Sequence, residues 1–276
     1  MKPAGFDYAR PDRLDEALAV LAEHTHTARV LAGGQSLGAM LNMRLVTPKV
    51  LIDISALAEL GHIQADDGMI EVGAAVTQDQ LLRWPGLKEQ PLLAQTLPWV
   101  GHYQTRQRGT VCGSLAHGDP SSELPLVLAM LKGAVVLASQ RGSRTLTAAD
   151  FQTGTMQTAM RDDEMIVAAR FPLAAPGCSS AFREIGPRRG DFAIVAAAAV
   201  GDQDGVSLGI GGVADTPAIR RLPWLDGAGL DDALNTIAWE LRGSSDGHAS
   251  AAYRRTQVRN LGRQVIGETQ HALFNR

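Results

Sequence analysis

The most constraining stretch of this 276-residue chain runs from Ala28 to Ser55. A compact apolar segment, ARVLAG, ends on the paired glycines Gly33 and Gly34. QSLGAMLNMRL then follows at helical spacing, and from Lys49 comes the β-branched run KVLIDIS. Paired glycines between a strand and a helix let the backbone turn sharply and approach another group closely, because no Cβ intervenes. The N–H groups that follow open a helix and lack internal partners, so they form a ready seat for an anion. Ahead of this turn, RLDEALAVLAEH places Leu14, Ala17, Leu18 and Leu21 on one face, with Asp12 as the expected N-cap. The order helix, strand, glycine turn, helix, strand predicts a small α/β unit over residues 1–55.

A second small-residue turn lies in TVCGSLAHGDPSSELP, which starts at Thr110. Thr110, Gly113 and Ser114 form the turn, and Asp119, Pro120 and Glu123 lead into an apolar helix that Ser121 or Ser122 could cap. Gln35 and Ser36 would add side-chain donors to the first turn. Neither turn carries the lysine of a Walker loop or a full G-x-G-x-x-G fingerprint, and such a turn taken alone is more often a structural loop. Two such turns in one chain suit a dinucleotide, whose pyrophosphate has two phosphates to be held from both sides.

The rest of the chain divides into two further units. Strands are expected at Glu71–Val76, Ala134–Ala138 and Met165–Phe171. Helices are expected from Gln78 after Thr77, at Pro91–Val100 and at Glu123–Met130. Together they make a second unit over 56–174. LAAPGCSS is the best linker candidate. Over 175–276, FAIVAAAAV and VSLGIGGVA read as a hairpin around DQDG, followed by helices at Asp231–Leu241 and Ala249–Ile266. The expected class is therefore α+β. A two-part α/β module, with a small α/β unit and a larger mixed sheet with helices, precedes a C-terminal α+β domain whose antiparallel sheet carries packed helices.

Composition removes several functions. A net charge of −3 leaves no basic field for nucleic acid. The N-terminus lacks an apolar leader, and no run approaches the roughly 20 apolar residues of a membrane span, so a cytoplasmic location is expected. Two distant cysteines, Cys112 and Cys178, are too few to ligate an iron–sulfur cluster. The histidines show no HxH or HExxH spacing, so no metal site is expected. Ser36 and Ser114 lack a GxSxG elbow, and no residue stands out as a catalytic acid, base or nucleophile.

AGGQSL with MRL and VLIDIS, then VGHYQTRQRGTVCGSLAHGDPSSELP, FREIGPRRGDFAIVAAA, LGIGGVADTPAIR and DGHASAAYRR follow one another through nearly the whole chain. In that order they resemble the FAD-binding medium subunit of the carbon monoxide dehydrogenase and xanthine dehydrogenase family, the PCMH-type flavoprotein of molybdenum hydroxylases. The resemblance implies an FAD whose pyrophosphate is embraced by Ala32, Gly33, Gly34, Gln35 and Ser36, with Leu37 adjoining, and by Thr110, Gly113 and Ser114. It implies His102 in a loop lining the flavin, Asp119 or Glu123 hydrogen-bonded to the cofactor, and a backbone contact from Ile166. It also implies that Arg183, and Phe192 beside Asp191, approach the isoalloxazine ring. From the residues alone, Arg183 could equally form a surface ion pair and Phe192 could belong to the core. One departure is clear: Cys112 stands where the family's second turn has the first of two glycines, so a positive φ there would carry strain.

The resemblance further implies an electron-transfer role. FAD on this chain would take electrons from 2Fe-2S clusters on a small partner subunit and pass them to an external acceptor. A large partner would hold the molybdenum cofactor, in a dimer of heterotrimers. The alternatives are a self-contained FAD-dependent oxidase and a non-catalytic nucleotide-binding scaffold. The roughly 100 residues after the linker are few for an oxidase's substrate domain.

Overall fold

The computed structural model describes residues 2–275. Its class is α+β, built around three main sheets. The first has three parallel strands, with Val50–Asp53 between Asp7–Ala9 and Ala28–Leu31. Helix Leu14–Glu23 buries Ala17, Leu18 and Leu21 beneath it, as its apolar spacing requires. The N-cap is Arg13 rather than the expected Asp12; the Arg13 side chain makes no capping bond, and Glu59 Oε1 accepts from Leu14 N–H at 3.1 Å instead. Helix Leu37–Asn42 follows the glycine turn and is shorter than the apolar pattern suggested, ending just before Arg44 at a φ of 58°.

The second sheet has five strands in the order Ile63–Asp66, Met69–Gly73, Met165–Pro172, Ala134–Ser139 and Gly142–Thr147. It was expected to be mixed, but its pairings are antiparallel throughout. Short hairpins account for the two outer pairings. Asp67 and Gly68 both adopt positive φ, 47° and 73°, the backbone of a two-residue turn matched to strand twist. Helix Gln78–Arg83 begins with a complete capping box, in which the Thr77 hydroxyl accepts from Gln80 N–H and the Gln80 side chain accepts from Thr77 N–H.

The expected helix Pro91–Val100 ends at Thr96 and continues as turns. The stretch 173–178 is an irregular connector, and a strand unforeseen in the sequence, Ser179–Ile185, follows it directly. That strand opens a four-stranded antiparallel sheet completed by Val195–Asp202, Gly205–Gly211 and Ala218–Leu222. The expected hairpin turns at Asp202–Gly205.

The C-terminal sheet is sandwiched. Along its alanine-rich strand, Ala196 and Ala198 join the core beneath the rest of the chain, whereas Val195, Ala197 and Ala199 join a second core under helices Gly227–Glu240 and Ala251–Phe274. This is the period-two alternation of a strand buried on both faces. Helix Glu123–Met130, buried on nearly all sides, packs against it. Gly209 allows the approach, since a Cβ there would meet Met130 Sδ at 2.3 Å. No helix among the described residues is long and apolar enough to cross a membrane.

Candidate functional site

A cavity of about 730 Å³ opens between the first sheet, the helices after Gly101 and the second sheet, within the range of about 300–1,000 Å³ common for small-molecule sites. The first glycine turn forms one wall, with Ala32, Gly33, Gly34, Gln35, Ser36 and Leu37 all lining it. Gly34 has a φ of 69°, which a side-chain-bearing residue rarely adopts. The Ser36 hydroxyl makes no capping bond, and the N–H groups of Gly34, Gln35 and Ser36 find no acceptor among the described residues. Gln35 Nε2 donates to Gly33 O at 3.1 Å and steadies the turn.

The second turn forms the facing wall, and here the structure changes the picture. Thr110, Gly113 and Ser114 do not form a loop. Thr110 is the N-cap of helix Val111–His117, its hydroxyl accepting from Gly113 N–H at 3.0 Å, and Ser114 N–H bonds to Thr110 O. Val111 N–H is taken by Val76 O. That leaves Cys112 N–H as the first-turn donor without an acceptor among the described residues.

The concern over strain at Cys112 disappears, because the residue is helical. Its thiol points into the core toward Val72 O at 3.5 Å, and burial pushes the Cys112 thiol up to about 12. The helix start is fixed by neighbours distant in the chain. Gln78 N–H donates to Gly109 O at 2.8 Å, and Gln78 is itself buried beside the cavity.

The two walls touch. A Cβ on Gly33 would lie 2.0 Å from Arg108 O and 2.8 Å from the Gly109 α-carbon. The packing of one backbone on another therefore requires glycine at position 33.

Ile166 also lines the cavity, next to a bulge in strand Met165–Pro172. Glu123, only 4% exposed, lines the cavity from the start of its helix, and burial, with Asp119 close by, pushes its carboxyl up to about 7. Ser122 occupies the N-cap there without a side-chain bond. Asp119 instead fixes the preceding turn by accepting from Ser121 N–H at 2.8 Å, and it lies in an adjoining cleft together with His102. His102 Nε2 is 3.8 Å from Asp191 Oδ1, and Gly190 packs against the imidazole ring. Asp191, held below the usual carboxylate range by Arg188, and Phe192 line both the cleft and the main cavity. Phe192 is 55% exposed and is not a core residue.

Arg183 does not join them. Strand alternation places it on the opposite face of the sheet from Phe182, where it pairs with Glu268 at 2.9 Å. Its neighbour Glu184 lies on the inward face instead, and the sequence offered no sign of this because that strand had been read in part as linker.

Residues 4–174 match the family described as the FAD binding domain in molybdopterin dehydrogenase. The chain is 37% identical over 74% of its length to the caffeine dehydrogenase subunit beta of Pseudomonas sp. (strain CBB1), spanning 70% of that protein. It is 32% identical to the carbon monoxide dehydrogenase medium chain of Afipia carboxidovorans, covering 96% of this chain and 97% of that one. The structure matches that of quinoline 2-oxidoreductase from Pseudomonas putida 86 with a TM-score of 0.94 and 32% identity, over 99% of this chain and 100% of the other.

Proposed function

The chain belongs to the family of FAD-binding domains of molybdopterin dehydrogenases, and from that premise we propose that it is the FAD-carrying electron-transfer subunit of a heteromeric molybdenum hydroxylase. One observation carries the cofactor reading. Two turns from distant parts of the chain are locked together at Gly33 and Arg108, and the N–H groups of Gly34, Gln35, Ser36 and Cys112 stand without acceptors on the same cavity. Unpartnered N–H groups converging from two helix starts fit a diphosphate.

In this reading Ala32–Leu37 form one jaw, and Thr110, Cys112 N–H, Gly113 and Ser114 form the other. Ile166 gives a backbone contact along the cavity wall. Phe192, exposed at the mouth, covers part of the ring, with His102, Asp119 and Asp191 beside it. Arg183 is left out of the set, since Glu268 already holds its charge. Residues 1–55 and 56–174 form the two-part cofactor module, and 175–276 closes it.

Bound FAD supplies the one- and two-electron chemistry, and the chain contributes position and electrostatics. The jaws hold the diphosphate, and the apolar walls near Met40, Met160 and Ile166 exclude water from the body of the cavity. Electrons come from 2Fe-2S clusters on a small partner subunit, and a large partner holds the molybdenum cofactor and the organic substrate. Two such heterotrimers pair in the assembly, in the cytoplasm. The relatives are a caffeine dehydrogenase subunit and a carbon monoxide dehydrogenase medium chain. Their differing substrates accord with substrate choice residing outside this chain.

Anaerobic reconstitution tests the role. Flavin on the isolated chain should stay oxidised when organic substrate is added, and should bleach only once both partner subunits are present. Bleaching of the isolated chain by substrate would favour the self-contained oxidase instead.

A further inference from the structure

The segment 155–164 ties three parts of the chain together along the cavity, which Met156, Met160, Arg161, Asp162 and Glu164 all line. Both of its roots are firmly held. The Thr155 hydroxyl donates to Asp215 Oδ1 at 2.8 Å, joining the segment to the loop before the last strand of the C-terminal sheet, and Met156 N–H donates to Gly118 O at 2.9 Å. At the other root Glu164, only 6% exposed, accepts two bonds of 2.8 Å from Arg144 and a third from Arg161 N–H. Arg144 also donates to Ala159 O at 2.8 Å. Between the roots, the side chains of Arg161 and Asp162 are more than half exposed.

Asp162 pairs with His26, which belongs to the unit that carries the first glycine turn. His26 sits on the turn from helix Leu14–Glu23 into strand Ala28–Leu31, between Leu21 and Ala28, which both line the cavity. That turn is stiff. Thr27 N–H and Ala28 N–H donate to His24 O at 2.9 and 2.8 Å, the Thr25 hydroxyl donates to Ala22 O at 2.8 Å, and Lys49 N–H donates to Thr27 O at 2.8 Å. His26 itself has a φ of 70°, in the left-handed region that His, Asn and Asp enter more readily than most residues with side chains. A fixed turn on one wall therefore presents an imidazole to a carboxylate on an anchored segment of the other. We propose that residues 155–164 form a strap along the cofactor cavity and that His26 and Asp162 are its clasp, the contact that parts when FAD enters or leaves. An exposed ion pair adds little to stability and is screened by salt, which suits a closure that opens in use. His26 and Asp162 act by holding the walls together and are positioning residues.

The inference rests on the FAD reading above, and two readouts keep the two apart. The full chain is compared at pH 6 as wild type, His26→Asn, Asp162→Asn, the double variant, and the exchanged pair His26→Asp/Asp162→His. Asn and Asp at position 26 keep a residue that tolerates the left-handed backbone. Release of bound FAD is followed by flavin fluorescence at about 0.1 M and about 1 M salt. Hydrogen exchange of the peptide 155–164 is followed by mass spectrometry in the same proteins stripped of flavin.

Each single variant should release FAD about two- to fivefold faster than the wild type at low salt, the size of one exposed ion pair. The double variant should be no faster than either single one, because the two side chains make one contact. The exchanged pair should return to the wild-type rate, and high salt should close most of the gap between wild type and variants. Exchange of the strap should rise in both single variants and fall back in the exchanged pair. Equal release from wild type and single variants, additive effects in the double variant, or a gap that high salt leaves intact would each overturn the clasp. A chain that binds no FAD at either salt would sink the cofactor reading. The exchange data would then decide the clasp alone, and strap exchange unchanged in both single variants would overturn it.

Discussion

Gly33 rests on the carbonyl of Arg108 so closely that a β-carbon would stand 2.0 Å from the oxygen. This contact joins the two jaws of the cavity, and it turns a single methyl into a wedge between them. Gly33→Ala should separate the jaws, lower stability by about 1–3 kcal/mol and abolish most FAD retention. Gly38 has nothing within 4 Å of the same added atom, so Gly38→Ala is the matched control and should keep its flavin. Thermal unfolding and the FAD released on denaturation report both effects.

Cys112 makes a different kind of prediction, because its backbone and side chain serve different neighbours. Restoring glycine with Cys112→Gly keeps the N–H that faces the cavity, so FAD affinity should change less than about twofold. The buried thiol is lost from the core and a glycine enters a helix, which together should cost about 1–3 kcal/mol of stability. A thiol pushed up to about 12 and buried is also inert. A disulfide reagent at pH 8 should modify Cys178 and leave Cys112 untouched in the native protein.

Arg183 should be dispensable for the cofactor. Arg183→Gln breaks a half-exposed pair with Glu268 on the far face of the sheet, worth less than about 1 kcal/mol. FAD content and spectrum should match the wild type. Phe192→Ala, which strips an exposed ring from the cavity mouth, should instead alter the flavin spectrum with little change in stability.

The stability of the chain should carry a signature of the buried acids Glu123 and Glu184. Both carboxyls titrate above their ordinary range in the folded protein, so the folded state binds more protons than the unfolded state at neutral pH. Their contribution is fully present below the ordinary carboxylate value of about 4.3 and is lost as pH rises through the folded values. Comparing wild type with Glu123→Gln/Glu184→Gln isolates this contribution from carboxylates such as Glu71 and Asp163, whose lowered values act in the opposite sense at acid pH. Denaturant midpoints of the wild type should decline relative to the double variant between about pH 5 and pH 9.

The sequence made some of this legible and hid the rest for physical reasons. The strand–glycine–helix order around Gly33 and Gly34 was readable because local chemistry dictates it. The hairpin at Asp202–Gly205 was readable for the same reason. Thr110 looked like part of a loop because a seven-residue helix holding Gly113 has little periodicity, and its start is set by long-range bonds with Val76 and Gln78. Strand Ser179–Ile185 was missed because the Pro176–Gly177 turn beside it dominated the reading. With that strand hidden, the alternation that sends Arg183 outward and Glu184 inward could not be seen. The glycine requirement at Gly33 also comes from Arg108, 75 positions along the chain, which no local pattern announces.

The most direct test is the flavin content of the purified chain across three proteins. The account predicts about one FAD per wild-type chain, retention of that FAD in Arg183→Gln, and its loss in Gly33→Ala. A colourless wild-type chain that takes up no added FAD, or a Gly33→Ala protein that keeps its flavin, would contradict it.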